Sequence, residues 1–481
     1  MGLVDFFRRR PKTQRRNYEA ASTGRLFSSW ITGTKSADSD IRYNLTTLRA
    51  RSRELALNND YARKYLKMVV ANVVGPHGIK LQVRSRDTNG ALDQFANNQL
   101  ETAFYNWAGS AVTTDGKLTW INAQRLFIET VARDGEAFIY LTNTRKADNA
   151  YGLQLQFIDP DLVDVEKNDR APGSGNEIRM GVEVNASGKP LAYWVLEQHP
   201  QDYQYSKASG ARHRRVPAED MLHCFVVERA GQTRGVPWMS TAMTRLKMLG
   251  GYEEAELVAA RVSASKMGFF TSPDGDGYTG DGQSGGVTVT DVAPGQFEQL
   301  PAGVTFTAYD PQHPSTAFSD FEKAMLRGIA SGLNVSYTSL SNDLESVNYS
   351  SIRQGLLDER DHWRVTQWWM VEQFCQRVYD RWLERALMSG LLTLPSAKIW
   401  KWKQTIWVPR GWQWVDPEKE TNAQVLAIQN GLMTLTQALS ERGLDIEDVV
   451  AERANEAELL AAAGLTKPTD NQDGTATSAA G

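Results

Sequence analysis

The sequence predicts an α+β protein, predominantly helical, and three observations lead there. Residues 238–268 and 350–389 carry apolar side chains at helical spacing over runs well beyond an average helix. Between residues 136 and 197, short apolar or alternating stretches are separated by turn residues, the pattern of strands. Hydrophobic residues are 41% and charged residues 23%, a soluble globular composition, so both kinds of element can share a core. At roughly 150 residues per domain, the 481 residues allow about three domains or one elongated body.

Residues 1–40 are polar and basic, with Gly24 and Gly33 interrupting any helix, and are expected as a flexible arm. A helix is expected over 41–74, ended by Gly75-Pro76 and Gly78, and then a strand at 79–85. Helices follow at 91–108 and 121–133, the second stopped by Asp134-Gly135. Strands are expected at 136–142, 153–159, 181–186 and 191–197, with Asn185 to Gly188 turning the last two into a hairpin. Together 41–237 form an α+β unit.

The helix at 238–268 has Pro237 before it and Gly268 after it, the expected punctuation. Met239, Met243, Leu246, Leu249, Leu257 and Ala260 fit its period, and Gly250-Gly251 marks a bend. Its length is roughly 45 Å at 1.5 Å per residue. Residues 269–315 are rich in Gly, Asp and Pro around GVTVT and VTFTAY, which suits a small β subdomain with a mobile loop. A second helix spans 316–333, and a polar run without Gly or Pro covers 334–349. The longest helix spans 350–389, where Ile352, Leu356, Trp363, Met370, Phe374, Val378 and Trp382 recur at spacings of four or seven. Residues 391–415 are Trp-rich, and aromatic core or subunit packing explains them better than base stacking. Ala- and Glu-rich helices fill 416–465, broken at Gly431 and Gly443, before a disordered tail at 466–481.

Charge and cysteine usage narrow the function. The chain has 53 basic and 57 acidic residues, which argues against a protein built to grip DNA. The charge is uneven, with a basic excess before residue 70 and an acidic excess after 440. Cys224 and Cys375 stand far apart, which excludes a disulfide scaffold and a Cys-based zinc site and fits a reducing compartment. No stretch approaches the ~18 apolar residues of a membrane helix. The N-terminus lacks the order of a signal peptide, and Phe6 stands where a myristoylation signal has Ser or Thr. An intracellular soluble protein is expected.

Catalytic and ligand motifs are weak. GDGYTG at 275–280 matches a dinucleotide fingerprint literally, yet no helix opens behind it and its aspartates would repel a pyrophosphate. Asp274 and Asp276 have calcium-loop spacing, but Tyr278 takes the next ligand position and Gly285 the place of the bidentate Glu. GQSGG at 282–286 lacks a His or Asp context for a triad. Asp358, Asp361 and His362 share a helix face as metal ligands would, though such a run more often forms a solvated, salt-bridged stripe. No phosphate-cradling G-x-x-x-x-G-K-[ST] is present. Neither a cofactor nor a metal is expected.

Five segments in order carry a resemblance: RARSRELALNNDYARKYLKMVVANVVGPHGIKLQ (49–82), GVEVNASGKPLAYWVLE (181–197), MLHCFVVERAGQTRGVPWMSTAM (221–243), EEAELVAARVSASKMGFF (253–270) and WVDPEKETNAQVLAIQNGLMTLTQALSERGLDIEDV (414–449). They resemble the lambda-type family of tailed-phage portal proteins, over roughly Arg49 to Leu465. The clip loop and the N-terminal arm match no family pattern. The resemblance implies a ring subunit with wing, stem, clip and crown. On it, 41–237 and 350–415 belong to the wing, 238–268 and 316–333 to the stem, 269–315 to the clip and 416–465 to the crown. The run 334–349 corresponds to the tunnel loop facing DNA, through Asn334, Ser336, Tyr337, Thr338, Ser339, Ser341, Asn342, Asp343, Glu345 and Asn348. Asp274, Asp276, Tyr278 and Asp281 would dock the packaging terminase and later the head-tail connector.

The implied function is a structural, non-catalytic, homododecameric DNA channel at one capsid vertex. Its expected partners are terminase, connector proteins, major capsid protein, scaffold and double-stranded DNA read without sequence specificity, with no membrane. It would assemble in the host cytoplasm and end in the virion. A conduit must let phosphates slide, and 334–350 contains no Lys, Arg or His. A catalytic nuclease or motor subunit of the packaging machinery is the alternative, weakened by the missing phosphate loop. A sequence-specific DNA-binding protein lacks a basic recognition helix.

Overall fold

The computed structural model describes residues 25, 33–143, 149–202, 212–264, 268–271, 282–284, 287–289, 305–308, 315–345, 349–412, 417–442, 444 and 446–464. The expected tail at 466–481 and most of the expected arm lie outside them.

Helical order starts inside the stretch expected as an arm. Ser36 caps α1 (Ala37–Arg42) by accepting from the Ser39 N–H, and Ala37 and Ile41 are buried. The single helix expected over 41–74 is instead two, α2 (Leu45–Asn58) and α3 (Asp60–Val73). Asn59 makes the break: it is extended, and its side chain caps α3 through the Ala62 N–H. After β1 (Lys80–Val83) come α4 (Gln94–Gly109) and α5 (Trp120–Asp134). Gly135 ends α5 with φ +92°, the left-handed stop that Asp134-Gly135 predicts.

Strands β2 (Glu136–Asn143), β3 (Leu153–Ile158), β4 (Asp169–Arg170), β5 (Glu177–Arg179), β6 (Val182–Val184), β7 (Pro190–Leu196), β8 (His213–Pro217) and β9 (Met221–Phe225) form two antiparallel sheets. One has the order β3-β2-β9, the other β4-β5-β6-β7-β8. The β6–β7 hairpin turns where expected, with Asn185 Oδ1 accepting from the N–H groups of Ser187 and Lys189.

Helix α6 (Met243–Ala264) begins six residues after Pro237 rather than directly behind it. Tertiary contacts hold the intervening turn: the Trp238 N–H donates to the Ala132 carbonyl, and the Thr241 hydroxyl donates to the Gly332 carbonyl. Two small antiparallel ladders follow, β10 (Gly268–Thr271) with β13 (Thr305–Ala308) and β11 (Gly282–Ser284) with β12 (Val287–Val289). Then come α7 (Ser315–Gly332) and α8 (Tyr337–Ser341). Tyr252 of α6 stacks on Phe318 of α7 at 5.7 Å and meets Phe321 edge-on at 5.0 Å.

The longest helical rod runs from Tyr349 to Ser389 as α9 (Tyr349–Met370), one π-helical turn (Val371–Cys375) and α10 (Gln376–Ser389). Both cysteines are free and buried, and the Cys224 thiol donates to the Gln373 carbonyl inside the π turn. After α11 (Ile399–Trp402), β14 (Thr405–Val408) pairs antiparallel with β1, placing Lys80 opposite Val408. Helices α12 (Pro417–Gln429), α13 (Leu435–Ser440) and α14 (Ile446–Ala462) close the described chain.

The main core lies where α3, α4 and α5 meet the π turn and α10. Phe127 stacks on Phe374 at 4.2 Å, and Phe104 meets Trp382 edge-on at 5.2 Å. The Trp-rich stretch divides: Trp402 and Trp407 are buried, whereas Trp400 is exposed. Among the described residues no helix is long and apolar enough to cross a membrane.

Candidate functional site

Nine of the ten residues expected along the tunnel loop are described, and they sit together on one folded segment. The polar run is not irregular throughout, because Ser336 caps α8 by accepting from the Ser339 N–H and Asn342 ends it at φ +61°. Ser336 Oγ also donates to Ser339 Oγ at 2.7 Å and lies 3.3 Å from Thr338 Oγ1. Ser341 Oγ donates to the Tyr337 carbonyl and accepts from the Asp343 N–H. Val335 and Leu340 are buried and turn the segment onto the core.

Both ends are anchored. At the first, the Ser336 N–H donates to Glu359 Oε2 at 3.1 Å, and Asn334 Nδ2 lies 2.7 Å from His362 Nδ1. At the second, the Tyr337 hydroxyl donates to Asp343 Oδ2 at 2.6 Å. That hydrogen bond, with the Glu345 N–H behind it, holds the Asp343 carboxyl below its ordinary value, while burial and Asp343 push the Tyr337 phenol up. Lys323 of α7 lies 3.8 Å from Asp343 and 3.5 Å from Glu345. Lys64 Nζ donates to Asn342 Oδ1, and Arg327 sits over the Tyr337 ring. The segment has no cation of its own, yet α3 and α7 supply three beside it.

Sequence reading missed Lys64, Lys323 and Arg327. Lys64 and Asn342 are 278 positions apart, and no local pattern signals such a contact. Glu359 and His362 stand at i and i+3 on α9, so a shared face was legible although its partner was not. If the Tyr337–Asp343 bond latches the segment, Tyr337→Phe should raise amide exchange at 338–345 about fivefold, the effect of one hydrogen bond of about 1 kcal/mol. Hydrogen exchange by mass spectrometry checks it; unchanged exchange would mean that Lys323 alone holds the end.

Asn348 and the four clip residues Asp274, Asp276, Tyr278 and Asp281 lie outside the described residues. Asp358, Asp361 and His362 do not converge on a metal position. Asp361 pairs with Arg364 at 2.9 Å, Asp358 lines an open cleft of about 650 Å³ between α9 and α12–α13, and the His362 ring turns to Asn334. Among the described residues, one other acidic and histidine group, Asp159, Asp161 and His199, comes close enough to share an ion. Arg53 already engages both of its carboxylates, and Arg49 engages Asp161 as well. Cations fill the place of a metal.

Among the described residues, the most densely charged interior centres on Glu136. Its carboxylate accepts from Arg234 Nη2 and Arg49 Nη2 at 2.6 Å, from the Gly235 N–H at 3.0 Å, and lies 2.9 Å from His223 Nε2. Burial would raise its pKa, but Arg234, His223 and Arg49 outweigh burial and hold the carboxyl far below its ordinary range. Arg234 further donates to the carbonyls of Val163, Met180 and Pro160. A carboxylate with its acceptor capacity used has no lone pair left for a substrate. The hub ties α2, β2, β9 and the 232–236 segment together and is structural.

Comparisons with known proteins agree along the chain. The family model described as phage portal protein, lambda family, matches residues 23–367. A probable portal protein of Halomonas phage phiHAP-1 is 33% identical over 474 residues, covering 96% of this chain and 90% of that protein. Portal protein B of Escherichia phage lambda is 25% identical, covering 92% and 90%. Among solved structures, a chain from the neck of a native GTA particle computed with C12 symmetry aligns at TM-score 0.40 and 12% identity, over 87% of this chain and 97% of that one. With the family model spanning most of its length and a relative one-third identical almost throughout, the protein belongs to the lambda family of phage portal proteins.

Proposed function

We propose that copies of this chain assemble into a closed ring, dodecameric as the family resemblance implies, that forms the DNA entrance and exit channel at one capsid vertex. Membership in the portal family along nearly the whole chain is the observation that carries this reading. The fold suits it. Helices α6 and α7 pack through Tyr252, Phe318 and Phe321 as a stem pair, bracketing the small ladders of a clip that would take terminase and later the connector. Helices α12–α14 would form the crown, and the two sheets with α9–α10 the wing. The role is structural, with partners in the capsid shell and scaffold, and the finished ring resides in the virion.

The channel lining is assigned to 334–345. Its exposed side chains include Asn334, Asn342 and Glu345, and Lys323 is spent on Asp343 and Glu345. DNA sliding past would meet few fixed phosphate partners. Glu345→Lys is the cleanest test, because Glu345 is largely exposed whereas Asp343 also holds Tyr337. One substitution recurs on every subunit around the same DNA, so it should shorten the packaged DNA, leave ring assembly intact and be relieved by higher salt. The assay is packaged length against ionic strength in reconstituted procapsids. Full-length packaging at low salt would move the lining to another element.

A further inference from the structure

An outward corner and an outward groove of this chain are complementary in polarity and charge, yet the fold keeps them apart. The corner stands where α2 gives way to α3. Leu57 is 76% exposed there and shares a cleft with Arg63 and Lys67. Lys67 is paired with Glu129, but Arg63 has no ion-pair partner among the described residues. The groove, of about 240 Å³, lies between the π-helical end of α9 and β14. Trp368, 53% exposed, and Ile406, 47% exposed, form its apolar walls. Glu372 on its rim has no cationic partner among the described residues.

The same chain cannot bring these surfaces together. Helix α9 turns Trp363, Gln367 and Met370 inward, and Gln367 Nε2 donates to the Asn72 carbonyl at the end of α3. Trp368 of α9 and Glu372 of the π turn therefore stand off the face of that rod that meets α3, which carries Arg63. An exposed leucine and an unpaired guanidinium complement an apolar groove with an unpaired carboxylate in polarity and charge. Two different patches that match make a head-to-tail contact, and such contacts close into rings when the rotation permits.

We infer that the Leu57–Arg63 corner of one copy seats in the Trp368–Ile406 groove of the next, with Arg63 meeting Glu372. This rests on the ring reading above and names the contact that builds the ring. The desolvated core is Leu57 against Trp368 and Ile406, and the Arg63–Glu372 pair fixes register.

The test uses the full-length chain. Arg63→Glu and Glu372→Arg should each lower the ring fraction about tenfold at fixed concentration, and the double exchange should restore it to within about threefold. Circular dichroism melting of each variant should match the wild type, since neither side chain is buried. In a second arm, Leu57→Cys with Ile406→Cys should give oxidised ladders of covalently joined copies, while the native cysteines stay buried and silent. Rings in electron micrographs with no ladder and no effect of either reversal would overturn this contact and leave the ring reading standing. A wild-type chain that forms no ring, with or without scaffold and capsid protein, would overturn both.

Discussion

Glu136→Ala is expected to destabilise the protein by about 3–5 kcal/mol, the cost of breaking a buried ion pair on one side only. It would leave Arg49 and Arg234, each about 1% exposed or less, without their shared carboxylate. Glu136→Gln keeps the volume and some of the hydrogen bonds and should cost less. Acidification should act in the same direction. Glu136 is held below its unfolded value of 4.5, so its contribution is present above that pH and fades as pH falls below it. His223 is pushed below 6.5, mainly by burial, so the folded state prefers it neutral; its contribution too is lost as pH falls, starting near 6.5. Thermal unfolding should show a falling midpoint in the wild type as pH drops from 7 to 2, and below pH 4.5, where the Glu136 contribution fades, a flatter profile in Glu136→Gln. A flat wild-type profile would mean that the hub does not carry the acid sensitivity.

Trp382→Ala is the second large effect, about 3–5 kcal/mol from the cavity it leaves. Trp382 is fully buried against Phe104, Tyr379 and Tyr151, at ring separations of 5.2, 5.7 and 5.6 Å. Among the described residues its indole N–H has no hydrogen-bond partner, so the loss is one of packing rather than of polar pairing. Trp382→Phe therefore gives up volume without orphaning an acceptor and should cost less than half as much. Equal losses for the two variants in denaturant titrations would contradict this.

Punctuation and period were legible in the residues themselves. Gly135 closes α5, Asn185 to Gly188 turn a hairpin, and the spacing from Ile352 to Trp382 traces one helical rod. Each of these is a property of neighbours in sequence. The break at Asn59 was not, because an asparagine inside a helical pattern becomes a cap only when the chain around it turns. Strands β4, β5, β8 and β9 escaped for a related reason. All four hold five residues or fewer, and Arg214 and Arg215 mask the alternation in β8. The candidate lining was placed by resemblance, whereas its cationic surroundings came from α3 and α7, far away in sequence.

The pairing of β1 with β14 also governs when the chain can finish folding. Beside that ladder, Lys401 Nζ bridges Asp87 and Asp93, and the first of these contacts spans 314 residues. A ribosome adding about 5–20 residues per second needs on the order of 15–60 s to cover that distance. Throughout that interval β1 has been made but has no strand to pair with, and Phe104 and Phe127 await Trp382 and Phe374. For that interval the nascent chain carries unfinished apolar surface that only its last third can cover, beside sibling chains growing on the same message.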